Sequence, residues 1–372
     1  MLVKGQRSPI RADEVKSILI IQLGDIGDVV WSTPTVRAVA AAFPQATVSL
    51  LLRAGCGDLL RGDPAVRAVF EVPRTKGFVA GPMVQIRFIR VLRRESFDLV
   101  FDLRSDDRGA YMAFLSGAPV RAALYYPGYT WRNRFFTHLA PLPRIEKRHP
   151  GAVDQSLYVV EGFGVSAPSD ARPALRVTRE MESAIDIRIS NAGLKDSPWI
   201  TVNPFSRWSY KELPLETWAE VISGIHADYP GIATVIVGTK EEHARAQFIV
   251  ERSPGNVRNM AGTTTLAELA ALLRHSRLHV GVDSAAPHIA AAVGTPTVTI
   301  YGPTDWRDWA PAGDKHTVIK PVMSCSPCHE KGCNGSGKSR CLEEMTSTHI
   351  IAGLSLVLDT VLLREIEETS FV

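Results

Sequence analysis

Short apolar runs alternate with amphipathic stretches of helical period along nearly the whole chain. In the first half, the apolar runs predict strands at Ser17–Leu23, Thr47–Leu52, Ala68–Val72, Asp98–Leu103 and Val120–Tyr125. The stretches between them predict helices at Thr33–Phe43, Met83–Arg94 and Asp107–Ser116. Strands that alternate with helices in this way indicate an α/β fold built on parallel sheets.

The second half of the chain repeats this plan. It predicts strands at Trp199–Val202, Ile232–Val237, Arg277–Val282 and Thr297–Tyr301, and helices at Pro214–Asp228, Glu241–Glu251, Leu266–Arg274 and Pro287–Val293. A segment rich in proline, serine and charge, 167–198, marks the junction between the halves. We therefore expect domains at 1–175 and 176–345, followed by a C-terminal helix within 346–372. Two similar halves that face one another would leave a cleft where both sets of carboxyl strand ends meet.

Length and composition indicate an ordinary globular protein of two domains, with 372 residues, 45% hydrophobic and 22% charged. We expect it to be cytoplasmic, because no apolar run is long enough to span a membrane and the N-terminal residues are polar. The net charge of +3 is unevenly distributed: residues 74–148 carry 14 Lys and Arg against 6 Asp and Glu. This excess suits a phosphorylated acceptor or an anionic lipid surface, or is simply a solvated basic face. No nucleic-acid-binding motif accompanies it, so we expect no nucleic acid partner.

Two turns between a strand and a helix carry the candidate chemistry. Asp283-Ser284 follows an apolar strand and is followed at once by a helix with Pro287 in its first turn, an arrangement typical of an anion site. The first strand runs into Gly24-Asp25-Ile26-Gly27-Asp28-Val29-Val30. This turn lacks the G-x-G-x-x-G pattern, which disfavours a nicotinamide dehydrogenase or an epimerase that uses a dinucleotide. Asp28 there suits either a general base or a helix cap, whereas Asp25 suits a cap or a solvated acid.

The two turns resemble those of glycosyltransferase family 9. This is the family of ADP-heptose:lipopolysaccharide heptosyltransferases. The resemblance extends from the first turn through Thr33-Pro34, and from Asp283-Ser284 to His288 and on through Gly302-Pro303-Thr304-Asp305. The resemblance implies a GT-B fold with two Rossmann-like domains, the acceptor on the first and the ADP-sugar on the second. It also implies an inverting transfer of heptose to an inner-core acceptor with no metal cofactor.

The resemblance assigns roles to individual residues. Asp28 would be the general base, and Lys211 would contact the diphosphate of the donor, although outside the motif a lysine before a helix is usually a surface residue. The other donor-binding residues implied are Ser206, Arg207, Glu242, Asp283, Ser284, Ala285 and His288. A structural role for His288 and a ribose contact by Glu241 instead of Glu242 stay open, and adenine would rest near 264–266. From the basic excess we expect Arg74, Lys76, Arg121, Arg132 and Arg134 to bind an anionic acceptor.

Four cysteines lie close together in sequence: Cys325, Cys328, Cys333 and Cys341. Their number suits a structural zinc site, but only the first two have C-x-x-C spacing. Reduced, packed thiols and a redox role are the alternatives, since disulfides are unusual in the cytoplasm. Cys56 stands apart from them and is expected to fill a core position.

The sequence thus predicts a heptosyltransferase that uses an ADP-sugar and an anionic, lipid-linked oligosaccharide, with peripheral contact to the inner membrane. Three alternatives stay open. The first is a related transferase for another nucleotide sugar, the second is a transferase for an O-antigen or capsule acceptor, and the third is a non-catalytic nucleotide- or metal-binding module.

Overall fold

The computed structural model describes residues 10–74, 80–143, 152–195, 197–311 and 313–369. Within helices, the side chains of residues 80, 81 and 362–369 lie outside this description. The chain divides into two units, Met1–Arg176 and Val177–Val372. Each unit contains a parallel six-stranded sheet.

The sheet of the first unit has the strand order β3-β2-β1-β4-β5-β6. Its central strands pair in register, with Ile18 of β1 between Val48 and Leu99. These central strands are aliphatic and buried on both faces, as parallel strands covered by helices must be. The strands are β1 (Ser17–Gln22), β2 (Thr47–Arg53), β3 (Ala68–Val72), β4 (Leu99–Asp102), β5 (Val120–Leu124) and β6 (His138–Ala140).

Helices connect these strands. They are α1 (Ile26–Trp31), α2 (Thr33–Ala42), α3 (Ala80–Arg94), α4 (Asp107–Leu115), α5 (Thr130–Asn133) and α6 (Val153–Glu161). Helix α2 begins at Thr33-Pro34, where the fixed φ of proline suits a first turn and its missing N–H is not needed. Helix α6 packs on α2, where the hydroxyl oxygens of Thr35 and Ser156 are 2.7 Å apart.

The second unit has the same topology, with the strand order β12-β11-β10-β7-β8-β9. Its strands are β7 (Trp199–Asn203), β8 (Ala233–Ile236), β9 (Val257–Asn259), β10 (His279–Val282), β11 (Thr297–Ile300) and β12 (His316–Ile319). Its helices are α7 (Arg179–Asn191), α8 (Leu215–Asp228), α9 (His243–Arg252), α10 (Leu266–His275), α11 (Ala285–Ala292), α12 (Trp306–Trp309), α13 (Arg340–Glu343) and α14 (Ser347–Thr369).

The C-terminal helix α14 packs against α8 within the second unit. Ile350, Leu354 and Leu358 are buried in the same core as Trp218 of α8. The Tyr229 hydroxyl, just after α8, donates to Oδ1 of Asp359 at 2.6 Å. None of the helices in the described ranges combines the length and apolar character needed to cross a membrane.

The predicted α/β fold with parallel sheets is confirmed, and the differences from prediction concern short or polar elements. The edge strands β6, β9 and β12 were not predicted, because three or four residues with polar members give no clear apolar run. Helix α7 lies inside the segment expected to be a junction. It is highly charged, and only Ile185 and Ile189, one turn apart, are buried.

The strand order reverses once in each unit. The chain moves outward from β1 to β3, then returns to place β4 on the other side of β1, and β7 and β10 have the same relation. In doubly wound sheets ligands bind beyond the carboxyl ends of the strands at such a switch point. The loops after β1, β4, β7 and β10 are therefore where a site is expected.

Candidate active site

The loop after β1 fixes the carboxylate of Asp28. Asp28 lies in the first turn of α1, and its Oδ2 accepts the backbone N–H of Asp25 at 2.8 Å. A Cβ at position 24 would lie only 2.3 Å from this oxygen, so glycine is needed there for the carboxylate to fit. Asp28 thus takes part in capping α1. A second role requires that one carboxylate oxygen is not used by these contacts.

Arg104, in the loop after β4, supplies the second contact to Asp28. Its Nη1 lies 2.6 Å from Asp28 Oδ2, and its Nε lies 3.5 Å from Asp106. Both hydrogen bonds to Asp28 in the described contacts therefore use Oδ2, which leaves Oδ1 to accept a proton from a ligand. Arg104 was not predicted, because 76 residues separate it from Asp28 and only the pairing of β1 with β4 brings the two loops together.

Asp102 ends β4 and is completely buried. Burial, with a smaller contribution from the charge of Asp106, raises the pKa of its carboxyl group to about 7. The backbone N–H groups of Ser105 and Arg104 and the Arg132 guanidinium oppose this rise without fully offsetting it. A Cβ at Gly109 would lie 2.3 Å from the same carboxylate, so α4 approaches it through a glycine.

In the second unit, an ion pair joins the loops after β7 and β10. Lys211 Nζ lies 2.6 Å from Asp283 Oδ2, and both side chains are largely buried. The Ser206 hydroxyl donates to the backbone carbonyl of Asp283 at 3.2 Å. Three residues expected to bind the donor are thus brought together at the switch point.

Helix α11 begins directly beside this pair. Ser284 is its N-cap residue, with an extended backbone and no hydrogen bond from its side chain to the helix. The Ser284 hydroxyl is buried and has no partner among the described residues. Ala285 and Ala286 occupy the first two helical positions, and the third is Pro287, as predicted. Backbone N–H groups at such an uncapped helix start attract anions.

His288 lies inside the same helix and is buried. Burial lowers the pKa of its imidazole to about 4, and Asp283 and Lys211 are close enough to act on it with opposite signs. The imidazole is therefore neutral near pH 7. Tyr301, at the end of β11, is also buried, and burial together with Asp283 raises the pKa of its hydroxyl well above the usual range.

Glu212 and Arg245 support the Lys211 turn and were not predicted from the sequence. Glu212 Oε1 accepts the backbone N–H of Ser206 at 2.8 Å, and its Oε2 pairs with Arg245 at 2.5 Å. The same arginine lies over the ring of Phe205 at 5.0 Å. Arg207 is exposed, with its guanidinium 5.2 Å from the centre of the Trp208 ring.

Glu242 lies in the loop after β8, at the end of a 3-10 turn. Its Oε2 accepts the backbone N–H of Thr239 at 2.6 Å, so the carboxylate caps its own turn. The Gly262 N–H donates to the Gly238 carbonyl at 2.9 Å, and this bond holds the loop expected near adenine against the same turn. Glu242 is thus at the carboxyl edge of the sheet, as is Glu241, whose side chain is exposed.

The basic residues expected to bind the acceptor have different environments. Arg74 is exposed at the end of β3 and donates to the Ala54 carbonyl at 3.0 Å. Arg134 is exposed just after α5. Lys76 lies outside the described residues.

The other two arginines expected to bind the acceptor make contacts within the first unit. Arg121 lies near the amino end of β5, and its guanidinium donates to the carbonyls of Phe135 and Ala118 at 2.7 and 2.5 Å. Arg132 is only 2% exposed, and its Nη2 donates to the Leu124 carbonyl at 3.0 Å. Basic composition alone does not distinguish arginines that bind the backbone from those that face solvent.

The four clustered cysteines line a pocket of about 290 Å³. They do not fit the predicted zinc site, since the part of the chain that the structure describes contains no group of three or more His, Cys, Asp or Glu able to hold a metal ion. All four are free thiols, and burial raises the pKa of Cys341 to about 11, with smaller contributions from the other three.

The cysteine-rich loop is hydrogen-bonded to the Lys211 turn. The Ser209 hydroxyl donates to the Gly337 carbonyl at 3.0 Å, and the Ser339 hydroxyl donates to the Tyr210 carbonyl at 2.7 Å. At its other end, the Ser326 hydroxyl donates to the Gly302 carbonyl at 2.7 Å. The loop therefore braces the turn that carries Lys211 against the end of β11.

Comparison with known proteins identifies the family. The model of glycosyltransferase family 9 (heptosyltransferase) matches residues 85–338. Lipopolysaccharide heptosyltransferase 3 of Escherichia coli is 28% identical over 300 residues, which are 76% of this chain and 84% of that protein. Lipooligosaccharide heptosyltransferase 2 of Haemophilus influenzae is 25% identical over 342 residues, 89% of this chain and 96% of that protein.

Solved structures share the fold. The family 9 glycosyl transferase of Veillonella parvula superposes with a TM-score of 0.76 at 21% identity, covering 94% of this chain and 97% of that one. The E. coli ADP-heptose LPS heptosyltransferase II gives a TM-score of 0.75 at 21% identity, with 94% and 99% covered. Since the family model spans more than half of the sequence, this chain belongs to glycosyltransferase family 9, the heptosyltransferases, and is a glycosyltransferase of GT-B fold.

Proposed function

We propose that this enzyme transfers heptose from ADP-heptose to an inner-core acceptor of lipopolysaccharide, with inversion at the anomeric carbon. Relatives named for this activity support the donor and the acceptor. In the proposed reaction an acceptor hydroxyl attacks C1 of the heptose while the bond from C1 to the ADP oxygen breaks. The hydroxyl proton passes to Asp28, and ADP leaves with the bonding electrons.

Asp28 is proposed as the general base because of how its carboxylate is held, and this observation carries the proposal. Arg104 and the Asp25 N–H both bind Oδ2, at 2.6 and 2.8 Å, and so orient the group with Oδ1 left for the acceptor proton. A positioned carboxylate of this kind typically contributes about 10²–10⁴ in rate. Arg104 is proposed as a positioning residue that acts through Asp28.

Lys211 and the start of α11 are proposed to bind the diphosphate. The leaving ADP gains negative charge, which a buried ammonium and backbone N–H groups stabilise best where water is excluded. Lys211 is held at this turn by its ion pair with Asp283, and the buried Ser284 hydroxyl has no partner among the described residues, so both are proposed to contact phosphate oxygens. Asp283, which holds Lys211, is proposed to contact the sugar hydroxyls. The Lys211 ammonium and the backbone N–H groups at the start of α11 would supply this positive charge without a metal ion.

The test compares two aspartates of the same turn. Asp28→Asn should lower turnover of ADP-heptose about 10²-fold or more while ADP still binds, measured by ADP release and by calorimetry. Asp25→Asn is the matched control, since the exposed Asp25 pairs with Arg53. If Asp28→Asn turned over ADP-heptose at the wild-type rate, the assignment of Asp28 as the general base would be refuted. The anomeric configuration of the product, determined by NMR, tests inversion separately.

A related transferase is the second candidate, supported by the moderate identity to the named relatives. Assays with other nucleotide sugars and with O-antigen or capsule acceptors distinguish it. The site of reaction is proposed to be the cytoplasmic face of the inner membrane, where fractionation of cells would locate the protein.

A further inference from the structure

Helix α3 presents an unusual surface to solvent. Four large apolar side chains on it are exposed: Met83 by 55%, Val84 by 39%, Ile86 by 48% and Val91 by 46%. Such side chains are common singly on protein surfaces, but four on one short helix form a patch.

The opposite side of α3 attaches the helix to the first unit. Leu92 is fully buried, and Phe88 packs against the same core. The Gln85 amide donates to the Pro73 carbonyl at 3.2 Å. At 100° per residue these three share one face, so the exposed side chains of α3 are directed away from the unit to which the helix belongs.

The exposed face is also strongly basic. Arg87, Arg90, Arg93 and Arg94 lie on α3, and no Asp or Glu occurs between residues 80 and 94. No acidic side chain in the described ranges forms an ion pair with any of the four. Arg87, Arg90 and Arg94 fall on the same side of the helix as Met83, and Val84 and Val91 flank them.

We propose that this face of α3 docks onto an anionic lipid bilayer. The apolar side chains would enter the boundary between headgroups and acyl chains, and the arginines would extend to the lipid phosphates. A free sugar phosphate would use the arginines but not the apolar side chains, whereas a purely apolar partner would leave four cations unpaired. An anionic bilayer uses both sets at once. The inference rests on the location at the inner membrane proposed above and names its surface, whereas loss of sugar transfer alone would not overturn it.

The experiment is co-sedimentation of the full-length protein with large vesicles. We expect binding to vesicles of phosphatidylethanolamine with phosphatidylglycerol, weaker binding to phosphatidylcholine alone, and release at high salt. Each arginine near such a surface contributes about fivefold in affinity, so Arg87→Gln/Arg90→Gln should weaken binding about 25-fold. Met83→Ser/Ile86→Ser should weaken binding at low salt, where the wild type binds, because fewer apolar side chains enter the bilayer.

Matched controls separate the helix from general charge and hydrophobicity. Arg172→Gln/Arg176→Gln removes two exposed arginines from the same unit, and Ile187→Ser removes an apolar side chain that is 65% exposed on α7. Both should bind vesicles like the wild type, and equal thermal unfolding midpoints would show that all variants fold. The proposal is overturned if the α3 variants sediment like wild type, if the controls lose binding equally, or if the wild type does not bind anionic vesicles. It is also overturned if the α3 substitutions convert a dimer of the protein to monomers and leave vesicle binding unchanged.

Discussion

Substitution of Asp102 by asparagine should change the pH dependence of stability in a defined way. The native carboxyl has a pKa of about 7, against 3.8 when exposed, because the folded protein surrounds it. The native state therefore holds a proton between pH 4 and 7 that the unfolded state has lost. Stability conferred by this proton is present below pH 4 and is lost as the pH rises to 7. Asparagine cannot ionise and lacks this dependence.

The magnitude follows from the size of the shift. A shift of about 3 units at about 1.36 kcal/mol per unit gives about 4 kcal/mol. The difference in the free energy of unfolding between Asp102→Asn and the wild type should thus rise by up to about 4 kcal/mol, in favour of the variant, from pH 4 to pH 8. For a unit of this size that corresponds to about 8–16 °C in the unfolding midpoint.

Thermal unfolding at pH 5, 6, 7 and 8 measures the effect, and the difference between variant and wild type is the informative quantity. His279 and His288 oppose the trend in the wild type, because burial lowers the pKa of His279 to about 3 and of His288 to about 4. These histidines add stability as the pH rises from 4 to 6.5. Their contributions are the same in variant and wild type, so they cancel when the two are subtracted, and both residues lie in the other unit. Asp107→Asn, at an exposed position of the same unit, is the control.

A constant difference between Asp102→Asn and wild type across this range would refute the reasoning. It would mean that Asp102 is ionised throughout and that Arg132 compensates its charge. A difference that appears equally in Asp107→Asn would assign the effect to net charge rather than to burial.

Three further predictions concern the catalytic residues. Gly24→Ala should reduce turnover about 10²-fold with ADP binding intact, because the new Cβ would displace the Asp28 carboxylate. The control is Gly231→Ala, where a Cβ would have open space around it. An active Gly24→Ala variant would contradict the geometry. Lys211→Gln should reduce turnover about 10²–10³-fold and weaken ADP binding, measured by calorimetry. Substitution of the exposed Lys195 by glutamine should change neither quantity. Unchanged ADP affinity in Lys211→Gln would refute a phosphate contact. Treatment with EDTA should leave turnover within about twofold, since Lys211 supplies the charge; a loss restored by Mg²⁺ would contradict this.

The sequence was sufficient for the architecture and for the loops that carry the candidate site. The apolar strands β1 and β10, each followed by a polar turn and a helix, place Asp28 and Asp283 at carboxyl strand ends before any coordinates are known. This works because the local pattern and the burial of central parallel strands agree.

Contacts between distant loops could not be predicted in the same way. Arg104 reaches Asp28, and Lys211 pairs with Asp283, only through strand pairing across a switch point. The environment of Arg132 was not predictable either: it is buried, with its guanidinium 4.7 Å from the centre of the Tyr126 ring. Composition reports charge, but not whether backbone carbonyls and aromatic rings already surround it.

The brace between the cysteine-rich loop and the Lys211 turn has a consequence for protein engineering. Ser209 and Ser339 form hydrogen bonds that join residues 128 and 129 positions apart, so the two segments support one another. A chimera that imports residues 206–212 from a relative to alter sugar preference should therefore import residues 324–341 as well. Exchanging one segment alone would pair two loops that did not evolve together.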